Sequence, residues 1–88
     1  MESQKNCLKG AIIGRTAEMV KKLEDEIKDI GFVVSDGKTE NEMENLKAYI
    51  SDSKHFFENG DLVRSFEAIV FAWGIWETLL NLGLVKKE

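Results

Sequence analysis

The sequence predicts an all-α fold, an antiparallel up-and-down three-helix bundle formed by residues 1–88 as one helical-bundle domain. Three observations predict it. Three stretches carry apolar residues at spacings of three and four, the signature of amphipathic helices. No proline interrupts any of them, so no backbone donor is lost and no helical turn is forced open. An Asn59-Gly60-Asp61 turn joins the last two stretches so closely that they must run antiparallel.

The first helix is read from about Ser3 to Ile30, with Leu8, Ile12, Met19, Val20, Leu23, Ile27 and Ile30 on one stripe. Gly10 and Gly14 each cost roughly 1 kcal/mol against alanine in a helix interior, but both project to the opposite face. A start at Thr16 is the alternative, and Gly31 is the expected left-handed stop. Phe32 to Lys38 reads as a loop around an Asp36-Gly37 turn. Phe32, Val33 and Val34 are expected to fold over the bundle end or to form a short extended piece. No partner strand is evident for them, so no sheet is expected. The second helix opens on Thr39-Glu40-Asn41-Glu42, read as a capping box. Its stripe is Met43, Leu46, Tyr49, Ile50, Ser53, Phe56 and Phe57. Asp61 caps the third helix, which runs from Leu62 to Leu82 with Gly83 as its stop. Lys86 and Lys87 beyond it suit the negative end of the helix dipole.

At about 100° per residue the third helix carries two apolar stripes. Leu62, Phe66, Ile69, Val70, Trp73, Trp76 and Leu80 form the expected core stripe. Phe71, Ile75, Leu79 and Leu82 form a second, linked to the first by Ala68 and Ala72. One reading buries both against two neighbours. The other leaves Phe71, Ile75, Leu79 and Leu82 as a contact patch for a homodimer or a protein partner, because a large exposed apolar patch marks an interaction site. Gly74 breaks the side-chain wall and is expected to let a neighbouring backbone approach.

Composition narrows the function classes. Net charge is −4, from 12 Lys plus Arg against 16 Asp plus Glu. Nucleic-acid binding is therefore not expected, since it needs a basic cluster. Cys7 is the only cysteine, which precludes an internal disulfide and suggests a plain thiol. His55 is the only histidine and falls opposite the helix-two core stripe, so no zinc site is expected. Glu24, Asp25, Glu26 and Asp29 read as a solvated surface balanced by Lys21, Lys22 and Lys28. No cofactor, metal or catalytic set is predicted, and no enzyme. No run approaches the roughly 20 apolar residues that span a bilayer, and the polar start lacks a signal-peptide pattern. A cytoplasmic protein is the expectation.

The stretch from Tyr49 through Phe56-Phe57, Gly60-Asp61 and Arg64 to Ala68, continued by Phe71-Ala72-Trp73-Gly74 and Leu82-Gly83-Leu84, resembles the mostly archaeal domain-of-unknown-function family 357. The likeness covers roughly the last 40 residues well and the first 40 by pattern. Glu77 departs from it, standing where an aspartate is expected. The resemblance implies a three-helix up-and-down bundle and an archaeal source, and no activity. Gly60, Asp61, Arg64, Gly74 and Gly83 fit the motif, and each also has a structural explanation. The hairpin is also similar to helical nucleotide-binding domains of toxin–antitoxin ribonucleases, but no histidine follows Arg64. The leading expectation is a non-enzymatic interaction or homo-oligomerisation module. The alternative is a small ligand- or nucleotide-binding domain using Asp61 and Arg64 at the hairpin end.

Overall fold

A computed structural model describes residues 2–33 and 36–87, with side chains described from Gly10 to Lys86. Cys7 and Leu8 lie outside the described side chains, and Val34 outside the described residues. The element order is α1 (Glu2–Glu26), β1 (Ile30–Phe32), α2 (Gly37–Glu58), α3 (Leu62–Asn81) and β2 (Val85–Lys87). The three helices form a bundle, as the periodicity predicts.

α1 is one continuous helix through Gly10 and Gly14, supported on its surface by the Lys22–Glu18 pair at 2.8 Å. It ends four residues before the expected Ile30. Gly31 is not its stop: Gly31 sits in β1 opposite Lys86. The absence of a sheet is likewise overturned. Ile30, Gly31 and Phe32 pair antiparallel with Lys87, Lys86 and Val85, and the Val33 amide donates to the Leu84 carbonyl at 2.9 Å. The physical reason lies beyond Gly83. The chain turns back there, Val85 enters the core, and the strand so formed satisfies the amides that follow α1.

α2 starts earlier than its expected capping box. Asp36 is the N-cap, its carboxylate accepting from the Thr39 amide at 2.7 Å, so Thr39 lies inside the helix and is buried. At the other end the amides of Gly60 and Asp61 donate to the carbonyls of Phe57 and Phe56, with Gly60 at φ +79°. This paired closure requires a residue tolerant of left-handed backbone. Asp61 then caps α3 by accepting from the Arg64 amide at 3.2 Å. The same closure recurs at Gly83, φ +71°, with Leu84 donating to Leu79 and Gly83 to Leu80.

Inside the hairpin two fully buried serines lock α2 to α3. Ser53 Oγ donates to the Ser65 carbonyl at 2.8 Å, and Ser65 Oγ to the Ser53 carbonyl at 2.7 Å. Ser65, Ala68 and Ala72 are small, so the helix backbones approach closely along this line. That approach fixes the rotation of α3, whose buried face is Ser65, Ala68, Ile69, Ala72, Trp76 and Leu79. The expected core stripe is therefore turned. Phe66 and Val70 are 36% and 41% exposed, while the linking alanines are central. The core gathers Leu23, Met43, Leu46, Ile50, Ile69, Ala72, Leu79 and Val85 around Trp76.

α1 lies against one side of the hairpin. The Trp73 indole N–H donates to the Met19 carbonyl at 3.0 Å, and Lys54 pairs with Glu24. The molecule measures 52 × 19 × 18 Å.

Candidate functional site

On the side of the hairpin away from the described side chains of α1, α2 and α3 leave an open groove, and no described side chain of α1 lines it. Phe71, 56% exposed, stands in its middle and divides it into two cavities. The one nearer the Gly60 turn has a volume of about 230 Å³ and is bounded by Tyr49, Asp52, Phe56, Arg64, Glu67, Ala68 and Phe71. The other, about 470 Å³, is bounded by Glu42, Val70, Phe71, Gly74, Ile75, Thr78 and Leu79. The first follows from helical spacing. Tyr49, Asp52 and Phe56 recur at intervals of three and four on α2, as Arg64, Ala68 and Phe71 do on α3.

Aromatic faces organise the first cavity. The Tyr49 and Phe71 rings meet at 5.7 Å between centroids, tilted by 42°. The Arg64 guanidinium lies over the Phe56 ring at 5.9 Å. This cation is already engaged within its own chain, since Nε also stands 3.5 Å from the Asp61 carboxylate. Two further carboxylates, Asp52 and Glu67, border the same cavity, and among the described residues neither forms an ion pair. A cavity with two free carboxylates and one occupied guanidinium repels phosphate and attracts cations.

The four patch residues of α3 separate by burial. Phe71 and Leu82 are exposed, Leu82 by 66%, and Ile75 is half-buried. Leu79 is only 3% exposed and belongs to the core, a correction that follows from the rotation imposed by the serine pair. The structure adds residues outside that patch. Tyr49 and Phe56, expected in the core, line the groove instead, and Val70 joins them. The signal that could have found them is the short spacing between Tyr49, Asp52 and Phe56, which sets a carboxylate between two aromatic rings on one face. Gly74 lines the groove as well. Among the described residues nothing lies within 4 Å of where its Cβ would stand, so no described backbone approaches it, contrary to expectation.

Elsewhere the chemistry is sparse. A crevice of about 230 Å³ between α1 and the hairpin is lined by Thr16, Val20, Ser53, Phe57 and Ser65, among others. The buried Thr16 hydroxyl has no hydrogen-bond partner among the described residues. His55 is exposed and bonded through Nε2 to the Asn59 amide group at 3.1 Å. Among the described residues no three His, Cys, Asp or Glu side chains cluster as metal ligands, and no helix is long and apolar enough to cross a membrane.

The family model described as "Protein of unknown function (DUF357)" matches residues 18–85. The crystal structure of protein AF1782 from Archaeoglobus fulgidus, assigned to the same family, superposes with a TM-score of 0.80 at 36% sequence identity. The alignment covers 92% of this chain and 99% of that one. No curated protein shows a significant match.

Proposed function

The chain belongs to the DUF357 family of proteins of unknown function, and from that premise we propose that it is a non-enzymatic homo-oligomerisation module whose working surface is the outer groove of the α2–α3 hairpin. The observation that carries this reading is Phe71. The residue is more than half exposed in mid-helix, where solvent contact contributes nothing to the fold, and removing its exposed half from water is worth roughly 1–1.5 kcal/mol.

Around it Tyr49, Phe56, Val70 and Ile75 extend the apolar surface on both sides, and free carboxylates rim it. An apolar centre with a charged rim is the composition of an association surface. The groove supports binding over catalysis, because its cation is committed to Asp61 and Phe56 and its acids stand on an open, well-hydrated surface. Light scattering on the full chain tests the reading. The wild type should show a mass above the monomer at high micromolar concentration, and Phe71→Glu should return it to the monomer with its helical circular dichroism unchanged. A strictly monomeric wild type would overturn it.

A further inference from the structure

We propose that the crevice between α1 and the hairpin is a binding site for a small neutral molecule with one aromatic ring and a hydroxyl group, a phenol by class, whose oxygen accepts from the Thr16 hydroxyl. The crevice lies apart from the outer groove, and its occupancy is independent of self-association. Thr16 is the residue that points to a ligand. Its side chain lines the crevice and the residue is 1% exposed, yet its hydroxyl has no partner among the described residues. A buried hydroxyl without a partner is costly, and native interiors retain few of them. Threonine in a helix uses two side-chain rotamers. They exchange the hydroxyl with the methyl, so Oγ1 can turn toward whatever enters.

Thr16, Ser53 and Ser65 are the buried residues of the lining and form its floor. Each serine hydroxyl already donates to the other's carbonyl, at 2.8 and 2.7 Å, so the serine oxygens keep acceptor lone pairs and no free proton. Among the described residues of this floor, Thr16 alone holds an uncommitted donor. One ligand hydroxyl answers both needs: its oxygen accepts from Thr16, and its own proton has the serine oxygens as acceptors.

Size and charge narrow the rest of the ligand. Val20 and Phe57, both half-buried, wall the crevice, and the Phe57 ring offers a surface against which an aromatic ring packs. A volume of about 230 Å³ exceeds the roughly 150 Å³ that holds benzene in an enclosed protein cavity, which leaves room for one ring and its substituent. At the mouth Lys21 and Lys54 stand against Glu24 and Glu58, and Lys54 pairs with Glu24 across the two helices. A rim with two charges of each sign concentrates neither anions nor cations, which favours a neutral ligand.

The test is a titration of the full chain with phenol, followed by methyl and amide NMR, with toluene as the isostere that lacks the hydroxyl. Phenol should saturate with a Kd of about 1 mM, and its shifts should centre on Thr16, Ala17 and Val20. Thr16→Val keeps the side-chain shape and should weaken phenol at least about fivefold, the effect of losing one hydrogen bond, while leaving toluene unchanged. Thr16→Ser, which keeps the hydroxyl, should bind phenol at least about threefold more tightly than Thr16→Val. Phe71→Glu should leave phenol affinity unchanged, whatever it does to the oligomer. No saturation up to about 10 mM, well above the expected Kd, would mean that water alone fills the crevice and would overturn the proposal. So would shifts centred on Tyr49 and Phe71, a phenol affinity indifferent to Thr16→Val, or an equal loss of phenol and toluene in that variant.

Discussion

Serine is an indifferent helix former, because its hydroxyl competes for backbone partners, yet Ser53 and Ser65 sit in helix interiors without exposure. Each spends its hydroxyl on the other's carbonyl, so neither leaves a buried donor unmatched. Removing one hydroxyl loses its own buried bond and the 3.2 Å contact between the two hydroxyls while the other hydroxyl keeps its backbone acceptor, and each serine-to-alanine change should cost about 1–2 kcal/mol in urea unfolding. The double variant should cost less than the sum, as coupled pairs do. Thr16 is the converse case: its hydroxyl is buried and unmatched among the described residues, and Thr16→Val should stabilise by about 1 kcal/mol. Asp36 carries a pH signature. Its hydrogen bonds from Thr39, aided by nearby Lys38, hold its carboxyl below the ordinary value of 3.8. A lowered folded value means that its contribution is complete above the unfolded value and fades as pH falls through the folded one. As pH falls below about 4 the wild type should therefore lose melting temperature faster than Asp36→Asn, whose amide does not titrate.

Among the elements α3 is the most informative, because its rotation decides which side chains the molecule keeps and which it shows. Gly74 lies on its outer face above open space, so Gly74→Ala should stabilise the monomer by up to about 1 kcal/mol in denaturant titration. The hairpin was legible in the sequence because its signals are local: a left-handed glycine, an aspartate cap, and helical periodicity on either side. Phe71 was legible only as one of two readings, since the wheel allowed its stripe either to be buried against a second neighbour or to stay exposed. Leu79, Tyr49 and Phe56 were not. A wheel gives relative angles, and the absolute phase comes from the Ser53–Ser65 lock and the alanines that let two backbones approach. The β1–β2 pair was illegible because three residues are too few to show a period of two, and because what makes Ile30–Phe32 a strand stands at the far end of the chain. The Asp36 cap was disguised as a turn, for Asp-Gly suits both.

At the scale of the whole molecule, a long helix leans on a short hairpin and outruns it. Stability should follow that asymmetry. Hydrogen exchange should find the slowest amides around Ile69 to Trp76, beside the fully buried tryptophan. The strand pair that ties Ile30–Phe32 to Val85–Lys87 also orders events in time. The α2–α3 hairpin closes across three residues and can form early. The strand pair, like the Trp73–Met19 contact between α1 and α3, joins residues more than 50 positions apart, so both closures cost far more entropy than the hairpin and should follow it in folding. Substitutions at Val85 would accordingly be felt in the unfolding rate, and those at the Gly60 turn in the folding rate.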